Sequence, residues 1–238
     1  MTHVDGAILP GYQGFVNLQT ATSGSDGPIL YAYGTYFMPG TNDGVFCYTG
    51  SVYGTADLDC CLMNGTIAAP AQVSAGQLTL TNNTQGVSGT MDWNAGEDSY
   101  GELSTELVFT TGDSLTVTAA GDTAPAFTAT TTFPKPIEGL VTPSPLSLAA
   151  GWTVTWTPAG ATTMEVYLSS GVGETQLACR TADSVGKIVF PPALLAGVIE
   201  AGDSTVLVER KNIGVGSGNP ASVLEPEVSA TPSITIVP

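Results

Sequence analysis

Hydrophobic and polar residues alternate with a period of two along most of this chain, and the 3.6-residue period of a helix is nearly absent. Such alternation places one set of side chains on each face of an extended strand. The 29 glycines and 16 prolines divide the pattern into short segments. A chain of this kind is expected to form short strands connected by turns, as in a sandwich or a barrel.

Fifteen segments carry the strand pattern, and eight of them lie in the first part of the chain: Tyr12–Thr20, Ile29–Phe37, Val45–Tyr53, Gln77–Thr81, Val87–Trp93, Leu103–Phe109, Leu115–Ala119 and Ala126–Phe133. Seven follow: Trp152–Thr157, Met164–Leu168, Gln176–Thr181, Lys187–Phe190, Ser204–Lys211, Val223–Val228 and Ser233–Val237. Prolines at its start and a glycine near its end predict one short helical turn in residues 191–198, PPALLAGV.

A proline-rich segment, FPKPIEGLVTPSP (residues 133–145), separates the two groups of strands. Its four prolines favour an extended linker, because proline cannot donate to a sheet's hydrogen-bond ladder. The first cation of the chain, Lys135, lies in the same segment. We therefore predict an all-β protein of two tandem antiparallel β-sandwich domains, residues 1–134 and residues 135–238.

The charge is strongly negative, with a formal net charge of −16, and the first 134 residues contain twelve carboxylates but no lysine or arginine. Nucleic acid and anionic membrane surfaces are therefore unsuitable partners, because both are bound through clustered cations. Solubility of a β protein is one explanation of this charge. Binding of Ca²⁺, which prefers several carboxylate and carbonyl oxygens, is the other.

Five carboxylates in turns are candidate calcium ligands: Asp57, Asp59, Asp92, Glu97 and Asp98. The twelve-residue pattern of an EF-hand loop is absent, so any calcium site would be built from separate loops. The same residue types also form turns by bonding their own backbone, which explains their positions without a metal. Calcium is the only cofactor that the sequence suggests.

Aromatic residues accompany the acidic ones. Trp93 and Tyr100 lie in the acidic region 92–106, and Tyr31 and Tyr33 are spaced to share one face of a strand. Aromatic rings beside carboxylates can hold a sugar ring, so these four residues are candidate ligand-binding residues. Packing into the core or across strands is the competing interpretation.

The four cysteines are Cys47, Cys60, Cys61 and Cys179. Cys60 and Cys61 are adjacent, so on a strand they point to opposite faces. We expect Cys47 to pair with Cys60 or Cys61. The remaining cysteine then pairs with Cys179, or both remain buried thiols.

The second part of the chain resembles a fibronectin type III or immunoglobulin-like sandwich, on the order LSLAAGWTVTWTP, MEVYL, LACRTAD, IVFPPALLAG and STVLVER. With the segment GDSLTVTAAGDTAPAFTAT, the chain is similar to uncharacterised exported lipoproteins common in myxobacteria. The resemblance implies an extracellular or cell-envelope location, and it implies no catalytic or binding residues. The lipid-bearing cysteine of such proteins is absent from this sequence.

These observations predict a non-enzymatic extracellular or cell-surface binding or structural module, with a glycan or a surface protein as ligand. Two alternatives remain open: a carbohydrate-active enzyme using acidic residues of region 92–106, and a self-assembling subunit that associates through sheet edges. Catalysis by a histidine-based triad is excluded because His3 is the only histidine. The start, MTHVDGAILPGYQG, lacks the features of a signal peptide, so we expect a mature domain whose export signal has been removed.

Overall fold

The predicted all-β class is confirmed. A computed structural model describes residues 13–22, 28–37, 45–48, 59–63, 73–101, 103–105, 107–169, 176–196, 199–217 and 222–238. The described residues form strands and turns, with one four-residue helix, α1 (Pro192–Leu195), and one 3₁₀ turn, Asp183–Val185. The helix lies within the segment for which a single helical turn is predicted.

The first ten strands are β1 (Gln13–Thr22), β2 (Pro28–Phe37), β3 (Val45–Tyr48), β4 (Asp59–Met63), β5 (Leu78–Asn82), β6 (Val87–Met91), β7 (Trp93–Asn94), β8 (Ser99–Tyr100), β9 (Ser114–Ala119) and β10 (Phe127–Thr132). The others are β11 (Leu146–Ser147), β12 (Trp152–Thr155), β13 (Thr163–Ser169), β14 (Gln176–Ala182), β15 (Lys187–Phe190), β16 (Gly202–Lys211), β17 (Gly214–Val215), β18 (Ser222–Ala230) and β19 (Ser233–Val237).

Two compact units are present, and each is built from three stretches of chain. Unit 1 comprises Met1–Thr41, Ala69–Pro134 and Asn212–Glu227, and unit 2 comprises Asn42–Ala68, Lys135–Lys211 and Val228–Pro238. The predicted boundary at residue 134 is one of the points where the chain passes from one unit to the other. The division into domains 1–134 and 135–238 stays a prediction.

Unit 1 contains an antiparallel sheet of four strands in the order β10, β9, β5, β6. Its strands alternate as the sequence predicts, because Leu78, Leu80, Leu115 and Val117 are buried while the residues between them face outward. The same unit holds β1, which pairs antiparallel with β2 and parallel with β18. The parallel pairing is an exception to the predicted antiparallel arrangement.

One turn of unit 1 shows how its carboxylates are used. Asp113 is buried, and its Oδ2 accepts hydrogen bonds from Asn82 Nδ2 (2.7 Å), Gln85 Nε2 (3.1 Å) and the backbone N–H of Thr110 (2.9 Å). The carboxylate therefore holds the turn before β9 together. Backbone-directed turn chemistry accounts for this residue, as it does for many aspartates in turns.

Unit 2 is organised around a run of antiparallel strands in which β4 pairs with β3 and β14, and β13 pairs with β14 and β16. Its core includes Trp152 and Trp156, each 5% exposed. Trp152 lies on β12 and contacts Phe190 of β15, with ring centroids 5.4 Å apart. The indole N–H of Trp152 donates to the carbonyl of Pro143 at 2.8 Å, so its polar atom is satisfied.

The prediction of a strand at Leu103–Phe109 is wrong, because the residues that the structure describes there form no strand. Leu107 and Phe109 are buried as the alternation suggests, but the backbone ladder is interrupted. Ser104 donates its N–H to the carbonyl of Thr90, whereas the N–H of Thr90 donates to the side-chain hydroxyl of Ser104. A hydroxyl thus replaces a backbone carbonyl, which is a way for serine to compete with sheet formation.

Candidate functional site

The candidate site is the β7–β8 hairpin of unit 1, where the acidic and aromatic residues of region 92–106 meet. Its turn is built by the sequence NAGED: the side-chain Oδ1 of Asn94 accepts the N–H of Gly96 at 3.0 Å, and its carbonyl accepts the N–H of Glu97 at 3.2 Å. Asp98 has φ of 47°, a left-handed conformation that aspartate tolerates better than most residues. The local sequence therefore dictates a tight turn with its carboxylates outside.

Trp93 and Tyr100 are directly paired across the hairpin. Their ring centroids are 5.2 Å apart, with an interplanar angle of 71°, which is an edge-to-face arrangement. Both side chains are half-buried, so part of each ring remains exposed. The structure thus brings together two of the four predicted aromatic ligand residues.

The Tyr100 hydroxyl is held at both of its hydrogen-bonding positions. It donates to the carbonyl of Gly76 and accepts the N–H of Ala75, both at 2.8 Å. Burial raises the pKa of Tyr100, so the hydroxyl stays protonated and continues to donate. These bonds anchor the aromatic pair to the segment that leads into β5.

Three carboxylates surround this aromatic pair in sequence, and Asp92, Glu97 and Asp98 are all exposed. Asp92 Oδ1 accepts a hydrogen bond from Gln77 Nε2 at 2.9 Å, which places an amide beside a carboxylate. The hairpin therefore presents exposed oxygen acceptors, an amide and two partly exposed rings. This set of groups can accept hydrogen bonds from ligand hydroxyls and contact an apolar ring face.

Tyr31 and Tyr33 lie on β2, opposite Gln19 and Asn17 of β1. Backbones of β2 and β8 approach each other to within 8 Å between Cα atoms. The strand that carries these tyrosines is thus a neighbour of the strand that carries Tyr100, although their side chains lie outside the described part of the structure.

The predicted calcium ligands are only partly described. Asp57 lies outside the described residues, and Asp59 lies on β4, opposite Arg180, with its side chain outside them. Across the described residues, no group of three or more His, Cys, Asp or Glu side chains is arranged to hold a metal ion. Calcium binding stays a prediction.

A disulfide joins Cys60 of β4 to Cys179 of β14, and the two residues are directly opposite in the strand register, with Cα atoms 4.1 Å apart. The sequence left two outcomes for Cys179, a disulfide with the remaining cysteine or a buried thiol, and the structure has the disulfide. The register of β3 and β4 places Cys47 opposite Cys61. Of the two predicted partners of Cys47, Cys61 is therefore the one that lies directly across from it on the neighbouring strand.

Sequence reasoning missed the buried ion pair of unit 2. Asp183 and Arg210 are fully buried, with Arg210 Nε and Nη2 each 3.1 Å from Asp183 Oδ1. The other oxygen, Oδ2, accepts the N–H groups of Ala159, Gly160 and Ala161 at 2.7, 2.8 and 3.1 Å. Arg210 also donates to the carbonyls of Pro136 and Thr157, so the bonds of the pair are made within the fold and its role is structural.

A second missed cluster surrounds Glu165 of β13, which is 3% exposed. Glu165 accepts from Lys211 Nζ at 2.8 Å and is also bonded by Arg180 and by the hydroxyl of Tyr167. Lys211 Nζ lies 2.8 Å from Glu209 as well. Burial alone would raise the pKa of Glu165, but the charges of Lys211 and Arg180 outweigh it and lower the pKa from 4.5 to about 2.

The scarcity of lysine and arginine is the sequence feature that could have pointed to both clusters. Only five lysines and arginines occur in 238 residues, so each one on a strand is a candidate partner for a buried carboxylate. Arg180, Arg210 and Lys211 are such residues. Their partners could not be named from the sequence, because Glu165 and Asp183 are distant from Arg210 and Lys211 along the chain.

Unit 2 also contains an open polar cleft of about 600 Å³, lined by Ser144, Ser169, Asp203, Ser204, Thr205, Ser233, Ile234 and Thr235. Its lining is mostly hydroxyl groups with one carboxylate. Two of its groups contact each other, since Thr235 Oγ1 lies 3.3 Å from Asp203 Oδ1. No sequence pattern pointed to this cleft.

Comparisons with known proteins identify no family: no family model matches the chain, and no curated protein matches it. Among solved structures, the chain is similar to a two-domain fibronectin type III segment of chicken tenascin, with 15% identity over 75% of this chain and 92% of that one, and a TM-score of 0.31. It is also similar to the FN1–FN3 domains of chicken CNTN1, with 8% identity over 97% of this chain and 91% of that one, and a TM-score of 0.28. At these scores the likeness defines neither a family nor a function.

None of the helices in the described residues is long and apolar enough to span a membrane.

Proposed function

We propose that this protein is a non-enzymatic extracellular or cell-surface binding module that engages a neutral glycan at the β7–β8 hairpin. The observation that carries the proposal is the Trp93–Tyr100 pair, fixed edge-to-face and bordered by exposed carboxylates. A ligand that offers both an apolar ring face and many hydroxyl groups fits these groups. Sugar rings have both properties.

Electrostatics select among glycans. The hairpin carries Asp92, Glu97 and Asp98, and the first 134 residues contain no lysine or arginine to offset them. Anionic glycans such as sulfated or uronic-acid polymers are repelled by such a surface. Neutral glycans are therefore the ligand class that we propose, and a protein ligand with an exposed cationic patch is the alternative.

The proposed location rests on the cysteines. A disulfide such as Cys60–Cys179 persists in oxidising compartments and is rare in the reducing cytosol. Removal of this cross-link from a secreted domain is usually destabilising. We therefore propose an extracellular or cell-envelope location.

Binding is favoured over carbohydrate hydrolysis by the exposure of the acidic residues. A glycosidase places its two carboxylates about 5–9.5 Å apart on opposite sides of the scissile bond, in a site that surrounds the sugar. Asp92, Glu97 and Asp98 instead project from a two-stranded hairpin and are open to solvent. The cleft of unit 2 has a single carboxylate among its lining residues, Asp203, whereas a glycosidase requires two.

Affinity electrophoresis of the full chain against a panel of neutral polysaccharides tests the proposal. We expect retardation in at least one neutral polysaccharide gel, loss of that retardation in Trp93→Ala, and no change in Val108→Ala, which removes another exposed apolar side chain of unit 1. Retardation that is equal in Trp93→Ala and the unmodified chain would exclude the hairpin as the site. No retardation in any gel would exclude neutral glycans.

A further inference from the structure

The outer face of the four-stranded sheet of unit 1 is a two-dimensional array of hydroxyl side chains. Its first row runs straight across the four strands through Thr128 of β10, Thr118 of β9, Thr79 of β5 and Thr90 of β6, each paired directly with the next. All four residues are threonines. Thr118 is exposed and the other three are half-exposed.

The second row lies two residues along each strand and contains Thr130, Thr116, Thr81 and Ser88 in the same strand order. Thr130 and Ser88 are exposed, and Thr116 and Thr81 are half-exposed. We call these two rows the threonine face. The spacing of a pleated sheet gives it repeats of about 4.8 Å between strands and about 6.7 Å along each strand.

Hydrogen bonds join adjacent hydroxyls within the second row and hold those side chains in place. Thr81 and Ser88 are 2.8 Å apart between hydroxyl oxygens, as are Thr116 and Thr130. Threonine is β-branched and therefore stiff at χ1, so its methyl group is ordered together with its hydroxyl. The second row is thus restrained before any ligand arrives.

The threonine face has no charged and no aromatic side chain in either row, although the chain as a whole carries a net charge of −16. Beneath it the sheet is buried, since the alternating residues such as Leu80 and Val117 are completely enclosed. Side chains that repeat in two dimensions fit best against a partner whose own groups repeat in two dimensions. Such partners are crystalline surfaces.

Three kinds of crystalline surface can be compared by their chemistry. An ionic mineral requires charged ligands, which this face lacks. A crystalline polysaccharide is best held by aromatic rings, which this face also lacks. Ice is an uncharged lattice of hydrogen-bond donors and acceptors, and it matches a face that offers both at regular intervals between methyl groups.

We propose that the threonine face binds the surface of ice. A single hydroxyl contributes little, because a hydrogen bond to the lattice only replaces a hydrogen bond to liquid water. The eight hydroxyls lie on one face and engage one lattice together, so their small contributions add. This inference does not depend on the glycan proposal, because the hairpin aromatic residues belong to neither row.

Ice-affinity partition of the full chain tests the proposal: polycrystalline ice is grown slowly from a dilute solution, and the protein in the ice and in the liquid is measured. We expect enrichment in the ice for the unmodified chain. Thr118→Tyr and Thr130→Tyr each insert a bulky ring into one row while keeping good strand propensity, and both are expected to fall to the level of a non-binding protein. Two variants in different rows guard against misfolding of either one.

The matched control is Val189→Tyr, which inserts the same ring at an exposed strand position of unit 2 and is expected to bind ice like the unmodified chain. Circular dichroism establishes that each variant is folded. No enrichment of the unmodified chain in ice would overturn the proposal, and so would full retention of enrichment in both face variants. Binding to crystalline cellulose or chitin that is lost in the face variants, without ice enrichment, would overturn it in favour of a polysaccharide. Trp93→Ala is expected to leave ice binding unchanged, so the two proposals can fail separately.

Discussion

The side chains of Asp183 and Arg210 form an ion pair of 3.1 Å in which both partners are completely removed from solvent. Removing one partner of such a pair leaves an uncompensated buried charge, whereas an exposed pair contributes little. The carboxylate also closes the loop of residues 159–161 by accepting three backbone N–H groups. Stability of unit 2 should therefore depend strongly on this residue.

Asp183→Asn keeps the shape of the side chain but removes its charge. We expect the free energy of unfolding to fall by about 3–5 kcal/mol, because Arg210 remains buried without its counter-ion. Urea denaturation measures the loss. Glu200→Gln, an exposed acid of the same unit, is the control and should change stability by less than about 0.5 kcal/mol. Equal losses in the two variants would contradict a structural role for the buried pair.

The lowered pKa of Glu165 predicts that the fold loses stability at acid pH. Its folded-state pKa of about 2 lies below the ordinary value of 4.5, so the stability it contributes is present above pH 4.5 and is lost as the pH falls from 4.5 towards 2. The shift corresponds to a contribution on the order of 3 kcal/mol at neutral pH. Unfolding free energies measured between pH 7 and pH 2.5 should fall more steeply for the unmodified chain than for Glu165→Gln. Parallel curves would show that this group is not responsible.

The Cys60–Cys179 disulfide closes a long loop, with a sequence separation of 119. Cross-links of this length restrict the unfolded chain, so we expect Cys60→Ala with Cys179→Ala to lower the free energy of unfolding by about 2–5 kcal/mol. Denaturant unfolding under non-reducing conditions measures the change. If the double variant is as stable as the unmodified chain, the cross-link does not support the fold.

Cys47 and Cys61 are backbone partners in β3 and β4, and directly opposite residues of antiparallel strands have Cα separations within the range of disulfides. We expect a second disulfide between them. Peptide mapping by mass spectrometry without reduction should find the 47–61 and 60–179 cross-links together. Because Cys60 and Cys61 are adjacent, cleavage must be followed by fragmentation to distinguish this from the 47–60 and 61–179 pairing.

Tyr100→Phe keeps the ring that contacts Trp93 but removes the hydroxyl that is bonded to Ala75 and Gly76. A backbone N–H and a carbonyl lose their partner, so we expect a loss of about 1–3 kcal/mol in the free energy of unfolding. Thermal and urea denaturation measure it. Glycan retardation should weaken less than in Trp93→Ala, because the aromatic face remains. Loss of binding without loss of stability would assign the hydroxyl a direct role in ligand contact.

Strand positions followed from the sequence wherever one face of a strand is buried. LTLT and SLTVTA alternate in the sequence and in the structure. The prediction failed at Leu103–Phe109, where the alternation is correct but a serine hydroxyl takes the place of a backbone acceptor. The short strand β4 was missed because the sequence DCCLM offers no alternation.

The grouping of Trp93 and Tyr100 in one acidic and aromatic region was the part of the candidate site that the sequence predicted. The two residues are close in sequence, but the two-residue strands that pair them directly were not predicted. Tyr31 and Tyr33 could be placed on a strand but not beside the hairpin, because the approach of β2 to β8 joins segments far apart in the chain. The same limit applied to the threonine face, whose rows exist only once β10, β9, β5 and β6 are in register.

The sequence by itself determined the all-β class and most strand positions, because alternation and breaker residues are properties of short segments. Only the tertiary structure decided which of the few cations meet which carboxylates, which cysteine pairs with Cys179 and which threonines lie in rows. These relationships depend on strand order and register. Both arise when distant segments pair, and a slip of one residue would turn each side chain to the opposite face.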